Sequence, residues 1–194
     1  TKGKSQLKLN MPTGTGKTYV SIAYISYMKL KTMVICPKKK LVEQWAGCIE
    51  EYTNIKSNEI CIIDGSSSIH RIMKLGADKY KVFIVCIATL RSYGDNNGWD
   101  KLTELFKYLR IGIKIYDEAH LTFDTMCKID FYTNTIYNLY VTATPIRSDN
   151  DENEIYQLYF KNVASIDLFN EDDHPHTHYV AIKFDSKPTP MERG

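Results

Sequence analysis

Short apolar runs alternate with amphipathic stretches along this chain. Residues 6–11 (QLKLNM), 32–36 (TMVIC), 59–64 (EICIID), 82–88 (VFIVCIA), 111–120 (IGIKIYDEAH) and 135–145 (TIYNLYVTATP) predict strands. The near-continuous apolar content of 82–88 is what a strand covered on both faces requires. Between the strands, 18–30 predicts a helix buried over most of its surface through Val20, Ile22, Ala23, Ile25, Tyr27 and Met28. Residues 39–52 place Leu41, Val42, Trp45 and Ile49 on one face at spacings of three and four, and 99–109 does the same with Leu102, Leu105, Phe106 and Leu109. Pro37 stops one strand and Gly65-Ser66 ends another. This alternation predicts a three-layer α/β domain with a mainly parallel central sheet.

After Pro145 the pattern weakens. Residues 148–153 (SDNDEN) read as a polar loop, 154–160 as a short helix, 174–184 (HPHTHYVAIKF) as a strand leaving the domain and 187–190 (KPTP) as a linker. The expected division is one domain over 1–170, followed by a strand and linker over 171–194.

Composition narrows the class. A chain of 194 residues with 43% hydrophobic and 25% charged content is long enough for one sizeable core. No apolar run reaches bilayer length, so no membrane partner is expected. The start, TKGKSQLKLN, has no initiator methionine, apolar h-region or cleavage pattern. It is not a secretory signal, and the chain is expected to be a piece of a longer protein. The five cysteines are scattered without a C-x-x-C pair, and Cys36, Cys61 and Cys86 lie inside apolar runs. That usage fits small buried hydrophobes in a reducing, intracellular compartment rather than disulfides or zinc. A net charge of +2 does not announce nucleic acid, although Lys38, Lys39 and Lys40 cluster.

The candidate chemistry begins at MPTGTGKT, residues 11–18. It matches the phosphate-loop pattern G-x-x-x-x-G-K-[ST] except at Met11. Backbone N–H groups of Gly14, Thr15, Gly16, Lys17 and Thr18, with Thr13 at the loop entry, can surround a phosphate at a helix N-terminus. Lys17 supplies a mobile cation and the Thr18 hydroxyl a Mg²⁺ ligand. Met11 replaces only the residue that turns the strand into the loop, a position that need not touch phosphate.

A phosphate loop needs a second metal ligand and a group to orient water. IKIYDEAH provides Asp117 for Mg²⁺ and Glu118 as base at the carboxyl end of a strand. In parallel sheets that end is also where residues 11–18 must lie. The pair predicts an ATP- and Mg²⁺-dependent hydrolase, with Lys17, Asp117 and Glu118 as its catalytic residues.

MPTGTGKT, CPKKKLVEQW, DEAH and VTATP, in this order, resemble the first RecA-like domain of superfamily 2 helicases, DEAH-box type, over about residues 6–160. The arginine in TATPIRSDND looks most like DNA helicases of phages and large DNA viruses. The resemblance implies a RecA-like, P-loop NTPase fold and an ATP-binding half that couples hydrolysis to translocation and strand separation, on DNA in preference to RNA. It implies that His120 contacts a TAT element, Thr142 and Thr144, linking nucleotide state to strand separation. Taken alone, those threonines also fit simple β-propensity. It further places Pro37, Lys38, Thr89 and Arg91 on the nucleic-acid path, although each basic residue equally fits a solvated surface charge. DGSS (64–67) matches a further loop approaching the duplex.

In the family, a second RecA-like domain of the same parent chain supplies arginine fingers, and no Q-x-x-G-R-x-x-R motif occurs here. The resemblance therefore implies weak turnover by this chain alone. A duplex-DNA translocase without unwinding, an RNA helicase and a silent binding module remain alternatives. His174, His176 and His178 alternate on the expected strand 174–184, a pattern that fits either a metal-ligand set or a polar strand edge.

Overall fold

In a computed structural model, residues 5–143 and 150–167 are described. They form a seven-stranded sheet in the order β3-β4-β2-β5-β6-β1-β7. The strands are β1 (Gln6–Asn10), β2 (Thr32–Cys36), β3 (Ile60–Ile63), β4 (Val82–Cys86), β5 (Ile113–Tyr116), β6 (Tyr137–Thr142) and β7 (Ala164–Asp167). Every pairing is parallel, so the sheet needs crossover connections and cover on both faces.

Two apolar clusters supply that cover. Alternate strand residues explain them: in β2 Met33 and Ile35 point to one cluster, Val34 and Cys36 to the other. In β4 Phe83 and Val85 oppose Val82, Ile84 and Cys86 in the same way. Helices α1 (Lys17–Met28) and α2 (Lys39–Tyr52) cover one face through Ile22, Ile25, Val42, Trp45 and Ile49. The other face carries α3 (Gly65–Leu75), α4 (Ile87–Asn97), α5 (Asp100–Leu109), α6 (Phe123–Tyr132) and α7 (Asn150–Phe160).

Several sequence expectations change here. Residues 64–67 are not a loop: α3 starts at Gly65, and Ile69 and Ile72 bury its apolar stripe. The run 82–88 is divided, because β4 stops at Cys86 and Ile87 already belongs to α4. α6 was hidden by its polar content, although Phe123, Met126 and Ile129 are buried at a spacing of three. Residues 150–153, expected as loop, form the first turn of α7. β7 is a short, largely exposed edge strand beside β1. The boundary expected near 170, the strand at 174–184 and its three histidines lie outside the described residues, as does Thr144.

A polar knot sits inside the second face. Lys114 on β5 is fully buried and pairs with Asp130 on α6. Its ammonium also donates to Thr133 O (3.0 Å) and Thr133 Oγ1 (2.9 Å). The same carboxylate accepts from Tyr116 (2.7 Å), Tyr140 (2.6 Å) and Tyr159 (2.6 Å). Tyr116 and Tyr140 stack with ring centroids 5.5 Å apart. A buried charge is tolerable only when paired and hydrogen-bonded, and this one is.

Candidate nucleotide site

The phosphate loop leaves the end of β1, the acidic motif leaves the end of β5, and β6 runs between them. Thr142 at the end of β6 is therefore the physical bridge. Its carbonyl accepts from Met11 N–H (3.0 Å) and its hydroxyl lies 2.8 Å from His120 Nδ1.

Met11 is 4% exposed and packs with Leu9, Ile22 and Ile25. That explains how a large residue replaces glycine: its side chain fills the core beneath the loop instead of facing phosphate. Thr15 closes the turn through its N–H (3.4 Å) and hydroxyl (2.7 Å) to Pro12 O. Gly14 (φ +84°) and Gly16 (φ +95°) take left-handed conformations. Nothing lies within 4 Å of a Cβ built on Gly14, so backbone conformation rather than space requires glycine there. α1 then starts at Lys17 with no acidic residue in its first turn, leaving its N–H groups free to face an anion.

Across the cleft, Asp117 N–H extends the β5–β2 pairing by donating to Ile35 O (3.0 Å). Its Oδ2 accepts from the Trp45 indole N–H at 2.9 Å. Burial raises the Asp117 carboxyl above the usual range, while the Trp45 hydrogen bond opposes the rise. Glu118 has φ +48°, a strained conformation for a residue with a side chain. It aims one carboxylate oxygen at Lys17 Nζ (3.1 Å) and presents the other to Ala143 N–H (3.3 Å), with His120 Nδ1 at 3.5 Å.

Thr13, Gly14, Gly16, Lys17, Thr18, Asp117 and Glu118 thus line one cavity of about 360 Å³. This lies in the range of small-ligand sites. The donor set fits a Mg²⁺–polyphosphate: a hydroxyl, a buried carboxylate with one oxygen uncommitted to Trp45, an ammonium and an open helix N-terminus. Among the described residues there is no cluster of His, Cys, Asp and Glu that could hold a metal by itself, so the phosphates would complete the coordination.

The residues expected on the nucleic-acid path separate into two places. Pro37 and Lys38 follow β2 and Thr89 follows β4, and Cys36 pairs with Cys86, so these three share one rim. Arg91 instead faces Asp95 (3.6 Å) in a polar groove with Trp99, Leu121 and Lys128. Leu41, Gln44, Trp45 and Tyr19 also line the nucleotide cavity and were not anticipated. A signal existed for Trp45: an indole N–H on a buried stripe must find an acceptor.

Comparison with known proteins places the sequence and the fold. A Rad25 protein of Haloarcula marismortui is 27% identical over 147 residues, 76% of this chain and 21% of the relative. The DNA 3'-5' translocase XPB2 of Sulfurisphaera tokodaii is 28% identical over 149 residues, 76% of this chain and 29% of the relative. Across the curated relatives matched, the chain spans 20 to 40% of their length. The Hef helicase domain of Pyrococcus furiosus has the same fold, with TM-score 0.63 and 19% identity over 87% of this chain and 36% of that one. The family described as type III restriction enzyme, res subunit, matches residues 1–147, and the chain belongs to that family.

Proposed function

We propose that this chain is the ATP-binding half of an ATP-dependent motor that moves along DNA and separates its strands. The observation that carries the reading is the bridge at the end of β6: Thr142 touches the phosphate loop by its carbonyl and the acidic motif by its hydroxyl. A plain phosphate-binding protein needs no such connection. Lys17 and the α1 N-terminus hold the β- and γ-phosphates, Thr18 and Asp117 hold Mg²⁺, and Glu118 orients and deprotonates water. Bound Mg²⁺ supplies charge neutralisation on the phosphate oxygens. His120, Thr142 and Thr144 pass the phosphate state toward the polymer rim at Pro37, Lys38 and Thr89, with Arg91 in the separate polar groove beside Asp95. DEAH-box type and kinship with viral enzymes belong to the same proposal.

DNA is preferred over RNA because relatives named as acting on DNA align across three quarters of this chain. A relative named translocase favours a second reading, in which duplex is pulled without being opened. A second RecA-like domain, joined after residues 171–194, would complete the site with arginine fingers, so this chain alone turns over slowly. The free cysteines accord with a reducing compartment, and no helix among the described residues is long and apolar enough to cross a membrane.

The test is ATP turnover by the parent protein with no polymer, single-stranded DNA, duplex DNA and RNA, beside Glu118→Gln. Stimulation by DNA that vanishes in Glu118→Gln is expected. Equal turnover with every polymer and none would remove the motor reading. Release of a labelled strand separates unwinding from pulling.

A further inference from the structure

Trp45 is 2% exposed, yet it borders the nucleotide cavity. Its one polar atom is spent on Asp117 Oδ2, at 2.9 Å, instead of on a backbone carbonyl. That choice has chemical consequences. An indole N–H is a donor and never an acceptor, so it cannot compete with the carboxylate for a cation. It commits Oδ2 and leaves Oδ1 outside that bond, on a residue that lines the cavity. The main chain of Asp117 is already fixed by its bond to Ile35 O, so side-chain rotation is the freedom left, and the indole restrains it together with the Glu118 backbone N–H. The ring itself is immobilised by α2, where Val42, Trp45 and Ile49 form the buried stripe.

Resting on the reading of an ATP·Mg²⁺ site, we infer that Trp45 is a positioning residue for the metal-binding carboxylate. Its N–H holds Asp117 in the rotamer that presents Oδ1 to Mg²⁺, and so ties helix α2 to the metal. Trp45 acts through Asp117, on which its one polar atom is spent. Metal-ligating carboxylates depend on such outer partners, whose loss typically costs ten- to a hundredfold in metal affinity.

The chain contains two tryptophans, Trp45 and Trp99, and Trp99 donates to Asp95 on the other face. The 194-residue chain labelled with ¹⁵N therefore gives two indole resonances, assigned with Trp99→Phe. Titration with ADP in EDTA, then with Mg²⁺ at saturating ADP, should shift the Trp45 resonance at the Mg²⁺ step while Trp99 stays in place. Calorimetry of Trp45→Phe should give ADP affinity in EDTA within about twofold of wild type. The extra affinity that Mg²⁺ confers should fall by about tenfold. A merely structural tryptophan would lower affinity equally with and without Mg²⁺, and that result overturns the inference. So does a Trp45 resonance that ignores Mg²⁺ while Mg²⁺ still tightens binding; this arm needs no substitution at Trp45. Absence of any ADP binding by the wild-type chain would instead overturn the ATP-site reading, and this inference with it.

Discussion

Lys17 Nζ lies 3.1 Å from Glu118 Oε1 across the candidate nucleotide cavity, so the cation proposed for phosphate and the base proposed for water hold each other. An arriving phosphate must divide that pair. The two residues then separate experimentally. Lys17→Ala should weaken Mg²⁺-nucleotide binding about ten- to a hundredfold, the loss of a charge-assisted hydrogen bond. Glu118→Gln should keep or tighten binding, because Lys17 is released, while turnover by the parent protein drops about 10²- to 10⁴-fold. Equilibrium binding and single-turnover hydrolysis measure the two effects independently. Loss of binding in Glu118→Gln would contradict the assignment of roles.

The contact between His120 and Thr142 makes a different forecast. Thr142→Val keeps the shape at a fully buried position and removes only the hydroxyl that meets His120. Basal ATP turnover by the parent protein should change less than threefold, while polymer stimulation should fall about tenfold, of the order a lost buried hydrogen bond allows. Strand-release and ATPase assays run on the same preparation check it. Equal loss of both would make Thr142 a support of the loop and not a coupling residue.

Asp130 gathers donors from two strands and a helix, so its removal should cost more than that of its lysine partner. Asp130→Ala leaves the Lys114 ammonium without its counter-charge, hydrogen-bonded to Thr133 and near the Phe106 and Tyr116 rings, and should destabilise by about 3–5 kcal/mol. Lys114→Met leaves the carboxylate three tyrosine hydroxyls and should cost less. Urea midpoints of the two variants give the order directly. The reverse order would mean that the lysine, not the carboxylate, is the anchor.

The same knot sets an alkaline limit. Burial, and then the Asp130 charge, hold Tyr116, Tyr140 and Tyr159 above the ordinary phenol value. Above about pH 10 the unfolded chain releases protons that the native chain keeps. Stability must then fall with pH, by about 1.4 kcal/mol per unit for each tyrosine. Lys114 acts oppositely, since burial lowers its pKa: its contribution rises toward the ordinary 10.5 and levels off there. Beyond that point the tyrosines set the slope. The melting temperature of Tyr159→Phe should therefore decline less steeply with pH than that of wild type.

Local pattern made the sheet legible wherever one residue type had one reason to be present. The apolar run at 32–36 and the first five residues of 82–88 are strands as expected, and the glycines at 14 and 16 belong to a phosphate-type loop. α6 was missed because Asp124, Lys128 and Asp130 masked a stripe that only tertiary contact completes. Lys114 was legible as an anomaly, a charge inside IGIKIY, but its partner lies on that unread helix. Trp45 was read as core, which it is; its second role depends on β5 being brought beside β2, and no spacing along the chain records that.

Strand β1 has a consequence for how the protein comes into being. Gln6 pairs with Asn138 and Leu7 with Ala164, so the strand that carries the phosphate loop waits for neighbours encoded at the far end of the domain. On a ribosome the loop is made well before β6 and β7, the strands that seat it. Such long-range parallel pairing slows folding and leaves an apolar strand exposed meanwhile. Until β6 has emerged there is no carbonyl for Met11 and no cavity, so a Mg²⁺-nucleotide bound as proposed can stabilise only chains whose synthesis has passed Thr142.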